Sequence, residues 1–343
     1  MIKPKKLRKG DTVAIVSLSS GLAGEKTISW RTEQGIKRLE EVFGLRVKIM
    51  PHAFKGIDYI YENPEKRAED LNAALKDGEV KAIICCIGGN ETIRIMPYID
   101  FEALRNYPKI FSGYSDTTAN HIMFYNNGIS TSYGPALLTD FAENISMDEY
   151  TVESIKKTWF SSEAIGEIKP ADNIRKFGLR WNEENKDIER PLLSNQGYES
   201  INGEGIVQGH LIGGCFEVFN NMRGTELFPE IEAFDDAILF LETSEVHIEP
   251  KFFEDYLRAM SVMGIFERIN GIIVGRPQDG VYYEEYKDIW KQILKESGCE
   301  DIPVLYNMNF GHNEPKFILP YGLKAEVNTK DLTFSILESA VID

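Results

Sequence analysis

Val80-Lys81-Ala82-Ile83-Ile84-Cys85-Cys86-Ile87 runs straight into Gly88-Gly89-Asn90-Glu91, and this stretch decides the architecture. A strand with one wet face would alternate apolar and polar residues. A nearly unbroken apolar run predicts instead a strand covered on both faces, as in parallel sheets. Outward from it the pattern repeats. Residues 12–17 and 45–50 read as strands, and 28–43 between them carries apolar residues at helical spacing. Asn63-Pro64-Glu65 opens a charged helix through residue 75, with Asn63 as its cap and Pro64 at the first helical position. On the other side, 109–112 is a short strand and 116–125 a helix. This alternation predicts an α/β fold with a parallel sheet flanked by helices and right-handed crossovers.

From about residue 161 to 203 the chain changes character. It becomes polar, is broken by Pro170, Pro191 and Gly197, and contains Trp181 and Tyr198. A long irregular segment of this kind is a linker or a functional loop. Beyond it, 237–241, 271–274 and 304–306 read as strands, 250–263 and 283–297 as helices, and 324–327 and 332–337 as closing strands. At 343 residues the chain suits two domains better than one core.

Acidic residues outnumber basic ones by 54 to 38, for a net charge of −16. That field repels phosphate backbones, so nucleic acid is not expected as a partner, while a small anion in a local cationic pocket is compatible with it. No apolar run approaches the ~20 residues that span a bilayer. The basic opening is not followed by a signal-peptide core, so a cytoplasmic protein is expected. Four cysteines, Cys85, Cys86, Cys215 and Cys299, match no zinc spacing and are expected to be free thiols; no metal or cofactor is expected.

The sharpest chemical feature is Phe111-Ser112-Gly113-Tyr114-Ser115-Asp116-Thr117-Thr118. Ser115 falls on the turn between a buried strand and a helix, at the sheet edge where open α/β folds bind ligands. The helix N-terminus adds unpaired N–H groups suited to an oxyanion. Thr117 stands where a hydrolase elbow usually has a second glycine, and a helix-capping role for Ser115 is the simpler alternative. The Gly88-Gly89 turn lets backbone N–H groups approach a ligand at the same edge. A nucleophilic serine needs a base, and the chain offers five histidines: His52, His121, His210, His247 and His312. His121 would point away inside the helix; His210 and His247 remain open; His312 lies in a glycine-containing loop. Among the carboxylates, Glu242 closes the apolar run 237–241, a position from which an acid can orient an imidazole.

Gly113-Tyr114-Ser115-Asp116, Leu241-Glu242-Thr243 and Gly311-His312 together resemble the three motifs of the LD-carboxypeptidase family. Leu7-Arg8-Lys9-Gly10-Asp11, Arg67-Ala68-Glu69-Asp70-Leu71-Asn72, Pro97-Tyr98-Ile99-Asp100 and Gly209-His210-Leu211-Ile212-Gly213-Gly214 extend the resemblance, in order, over nearly the whole chain. The resemblance implies a metal-independent serine peptidase with Ser115 as nucleophile, His312 as base and Glu242 orienting it. Backbone N–H groups of Gly89 and Asp116 would form the oxyanion hole. It implies an N-terminal flavodoxin-like domain (1–165), a connecting segment and substrate loop (166–203), and a smaller, β-rich mixed C-terminal domain (204–343) carrying Glu242 and His312, assembled as a homodimer.

The family has two relevant branches. One removes the terminal D-alanine of murein tetrapeptides; the other, the microcin C immunity branch, cuts an amide joining an acyl group to a modified nucleotide. The long middle segment with Trp181 and Tyr198 is more similar to the second, where an aromatic stacks on the base. Gly88, Asn90, Lys251 and Arg276 complete the expected substrate contacts. Three rivals remain: a cysteine enzyme using Cys86, a metallopeptidase using Glu245, His247 and Glu249 on one strand face, and a non-catalytic ligand-binding protein.

Overall fold

The apolar runs form the central strands of two sheets in the computed structural model, which describes Met1–Asp343 throughout. The first sheet has the order Arg46–Ile49, Thr12–Val16, Val80–Cys85, Ile110–Gly113, Ser132–Tyr133 and Leu319–Pro320. Its first five strands are parallel. That is the expected flavodoxin-like order, and the reason is visible in burial: every residue of Thr12–Val16 and all but Lys81 in Val80–Cys85 are buried. The helices Ser29–Glu41, Pro64–Lys76 and Thr118–Asn126 connect these strands. Pro64 occupies the first turn and Asn63 the N-cap position, as predicted, but the Asn63 side chain makes no capping hydrogen bond. Its amide donates instead to the Tyr59 carbonyl at 2.8 Å, closing the preceding turn.

The second sheet has eight strands, in the order Gly166–Ile168, Thr333–Ile336, Lys324–Asn328, Ile206–Cys215, Ala237–Glu242, Gly271–Gly275, Val304–Met308 and Glu199–Asn202. The four from Ile206–Cys215 to Val304–Met308 are parallel, and antiparallel strands extend both sides. Helices Pro250–Val262 and Tyr283–Glu296 complete the mixed α/β half.

Ile206–Cys215 is the longest strand, although its glycines resemble turn punctuation. They serve close packing: a Cβ at Gly213 would lie 1.7 Å from the Phe240 carbonyl oxygen.

The segment 166–203 is more integrated than a linker. Its ends, Gly166–Ile168 and Glu199–Asn202, are the two edge strands of the second sheet, and between them Asn173–Arg175 pairs with Leu192–Ser194.

The two halves are interlocked. Leu319–Pro320, from the C-terminal half, pairs antiparallel with Ser132–Tyr133 in the first sheet. One apolar cluster runs from Ala14 and Phe111 to Leu239 and Phe334, so the sheets share a core. Fully buried Lys316 bridges them electrostatically, 2.9 Å from Asp140 and 3.3 Å from Glu314. No helix is long and apolar enough to cross a membrane.

Candidate active site

Ser115 follows the strand Ile110–Gly113 in a left-handed conformation, φ 64°, a region a non-glycine residue enters at a cost. Its N–H donates to the Tyr133 hydroxyl at 3.2 Å, and a short 3-10 turn, Ser115–Thr117, leads into Thr118–Asn126. The glycine missing at Thr117 is made up elsewhere. A Cβ at Gly88 would lie 2.6 Å from the Ser115 Cβ, and one at Gly113 would lie 2.8 Å from Thr117. The serine can therefore sit on the Gly88-Gly89 turn, and the helix can close on its strand. The Asp116 carboxylate accepts from Thr92 N–H at 2.8 Å and so faces away from the cleft.

Glu242 ends its strand fully buried. His312 Nδ1 lies 2.7 Å from Glu242 Oε2, which also accepts the His312 N–H at 3.2 Å, and Tyr133 donates its hydroxyl to Oε1. Gly311 makes room for this pair: a Cβ there would sit 2.3 Å from the Glu242 carboxyl carbon. Cys215, Glu242 and His312 gather donor atoms within 4.8 Å, but Glu242 and His312 are committed to each other, a proton-handling arrangement. The other ring nitrogen, Nε2, is 3.0 Å from Glu245 Oε2. Burial opposes charge on His312, yet the two flanking carboxylates outweigh it and raise the imidazole pKa.

Ser115, His312, Gly88, Gly89 and Trp181 line one cleft of about 240 Å³ together with Arg31, Arg190, Glu245, Gln278 and Glu314. A larger groove of about 630 Å³ lies elsewhere, between the helix Glu149–Trp159 and the strand Gly166–Ile168, and contains none of the three candidate triad residues.

Several expected contacts fall outside the cleft. Tyr198 is buried, with its hydroxyl donating to the Ile168 carbonyl, so the ring fixes the middle segment and is not available for stacking. Lys251 is a surface residue paired with Asp255 on one helix face. Arg276 donates to Asn307 at 2.9 Å and lies over the Tyr283 ring, in a small recess beside the cleft. Asn90 is exposed on its turn and does not line the cleft. Of the other histidines, His121 is fully buried between Gly113 O and Thr131, and burial pushes it down to about 3. His210 is tied to the Ala233 carbonyl at 2.9 Å. Cys86 is buried and pushed up to about 12, far from a usable thiolate. Glu245, His247 and Glu249 follow the strand end in a turn, with His247 at φ 51°, so they share no strand face.

The sequence reading missed Arg31 and Arg190. Arg31 is 2% exposed, lies 4.3 Å from the Trp181 ring and has no ion-pair partner; its Nε and Nη1 donate to the Leu138 carbonyl and Asn144. Arg190 pairs with Glu143 and Glu314. A buried cation in an acidic protein is a recognisable signal only once its position is known; in the sequence Arg31 is one more charge on an amphipathic helix.

Residues 13–134 match the LD-carboxypeptidase N-terminal domain, and residues 208–327 match the LD-carboxypeptidase C-terminal domain. A probable murein peptide carboxypeptidase of Bacillus subtilis is 30% identical over 99% of this chain and 95% of its own. The microcin C7 self-immunity protein MccF of Escherichia coli is 28% identical over 97% and 94%. MccF in complex with aspartyl sulfamoyl adenosine superposes with a TM-score of 0.86 at 26% identity, covering 100% of each chain. An MccF-like protein from Streptococcus pneumoniae in complex with AMP gives a TM-score of 0.88 at 34% identity, over 95% of this chain and 98% of that one.

Proposed function

Because the chain belongs to the LD-carboxypeptidase family, we propose that it is a serine amidase of the MccF type, cleaving an acyl–nucleotide amide with Ser115, His312 and Glu242. The observation that carries this is the Glu242–His312 pair meeting the left-handed Ser115 in one cleft. His312 takes the hydroxyl proton as Ser115 Oγ bonds to the amide carbon, and Glu242 stabilises the imidazolium. Backbone N–H groups of Gly89 and Asp116 receive the oxyanion. Collapse breaks the C–N bond, the leaving nitrogen taking the proton from His312. Water then attacks the ester, with His312 again as base, and Ser115 is restored.

The nucleotide reading is supported by the cleft wall: Trp181 offers an aromatic surface, and Arg31 beside it a cation for a phosphate-like linker. MccF and its pneumococcal relative hold ligands of that class. A second reading, removal of D-alanine from a murein tetrapeptide, is favoured by the same Arg31, since an unpaired guanidinium also suits a terminal carboxylate.

Incubating the protein and its Ser115→Ala variant with an aspartyl-adenylate amide analogue and a murein L,D-tetrapeptide, with products read by mass spectrometry, separates them. Cleavage of the nucleotide conjugate alone, lost in the variant, is expected. Cleavage of the tetrapeptide alone transfers the assignment to the second reading, and hydrolysis surviving in the variant overturns the serine mechanism.

A further inference from the structure

The nitrogen of His312 that must accept the Ser115 proton is already occupied. Nδ1 and the backbone N–H bind Glu242, while Nε2 contacts Glu245 at 3.0 Å. Glu245 reaches in from the rim, its side chain 54% exposed, on the turn that follows Ala237–Glu242. Neighbouring Ser244 is anchored, with its N–H and hydroxyl on Glu217, but the Glu245 carboxylate has His312 as its single side-chain partner. The contact therefore joins a fixed ring to a movable carboxylate.

We propose that Glu245 is a gate on the base, opened by an ammonium group that the substrate carries beside its scissile carbonyl. This rests on the serine mechanism above. A carboxylate touching Nε2 can reach only groups next to the reacting carbon, and an α-ammonium is two bonds from the carbonyl carbon. Transfer of Glu245 from imidazolium to ammonium exchanges one charge-assisted hydrogen bond for another, so the carboxylate is never left unpaired. With Glu245 withdrawn, the imidazolium is a stronger acid and releases its Nε2 proton to solvent, and the bare Nε2 can then accept from Ser115.

Two cleft charges are left without a committed partner of opposite charge. Glu245 lies against His312, and Arg31 lies against the Trp181 ring, whereas Glu314 and Arg190 are paired with each other. A substrate that is cationic at its acyl end and anionic beyond the scissile bond matches that arrangement. The groups facing the imidazole set its resting charge. Glu242 and Glu245 are in contact, Tyr114 lies edge-on at 5.0 Å, and Lys316, over the Tyr114 ring, opposes the more distant Glu217 and Glu314. The balance is negative and favours imidazolium, with Glu242 contributing most and Glu245 adding to it, so withdrawal of Glu245 weakens the ring's hold on its proton.

The test compares kcat/KM for an aspartyl amide substrate with a free α-amine and its N-acetyl counterpart, in the native protein and in Glu245→Gln. The native protein should prefer the free amine by about tenfold or more, the scale of one charge-assisted contact. The variant should lose most of that preference, chiefly by cutting the acetylated substrate faster, and its acidic pH limb should move to lower pH. Equal ratios in the two proteins overturn the gate, and loss of both hydrolyses in Ser115→Ala then leaves the serine mechanism standing. Imidazole NMR gives a readout free of turnover. Aspartate, but not N-acetylaspartate, should lower the His312 titration midpoint, and Glu245→Gln should lower it without ligand. Midpoints indifferent to both overturn the proposal.

Discussion

At the scale of single residues, one strained backbone position coincides with the residue where chemistry is expected. Ser115 at φ 64° carries backbone strain of about 1–3 kcal/mol that the surrounding turn must hold. Ser115→Ala keeps that backbone and removes the nucleophile, so kcat should fall by roughly 10⁴-fold or more while ligand binding persists, as calorimetry would check. His121 makes a second prediction. Its pKa is depressed to about 3 by burial, so the folded protein holds it neutral. The stability from that neutral ring is present above the unfolded value of about 6.5 and is lost as pH falls below it, by up to ~1.4 kcal/mol per pH unit. Urea midpoints from pH 7.5 to 4.5 (roughly the range where unfolded histidine titrates) should drop more steeply in the native protein than in His121→Asn; parallel curves would refute it. A neighbouring glycine or strand end made Ser115, Glu242 and His312 separate candidates at this scale, and only the resemblance running along the chain joined them into a triad. Arg31 and Glu245 were not legible, because a charge on a helix and a charge in a turn look alike whether or not the fold brings them to a cleft.

At the scale of elements, the site depends on three close approaches between turns. The sharpest is Gly311, φ 79°, whose missing Cβ leaves space for the Glu242 carboxylate. Gly311→Ala should push the histidine loop off Glu242, lowering kcat about 100-fold or more, the scale of a ~1 Å misplacement. Retained secondary structure by circular dichroism would separate this from global unfolding, and a kcat within twofold of native would contradict it. Central strands such as Val80–Cys85 were legible because burial on both faces leaves an unbroken apolar run. The edge strands Gly166–Ile168 and Glu199–Asn202 were not: they are half-exposed, three and four residues long, and specified by partners far away in sequence.

At the scale of the whole molecule, a buried ionic bridge and a borrowed strand join the two halves. Removing one partner of a buried pair leaves an uncompensated charge, so Asp140→Ala should destabilise the protein by about 3–5 kcal/mol by stranding Lys316. Urea denaturation measures this directly, and a loss below 1 kcal/mol would show that Glu314 suffices. Trp159 belongs to the first half and Trp290 to the second, both fully buried. Single-tryptophan variants reporting each should unfold at one midpoint; two separated transitions would mean that the halves are independent. Two domains were expected from length, but their interlocking was not, since a two-residue strand has no pattern of its own.

That borrowed strand also sets an order of events during translation. The parallel strands of the first sheet are made by residue 133, but Leu319–Pro320 emerges from the ribosome nearly two hundred residues later. Until then Ser132–Tyr133 is an open edge able to pair with another chain. Glu242 and His312 are also still being made. His312 lies just ahead of Leu319 in the chain, so the candidate base and the strand that seals the sheet emerge almost together, and the window of vulnerability to mispairing closes only as the site nears completion.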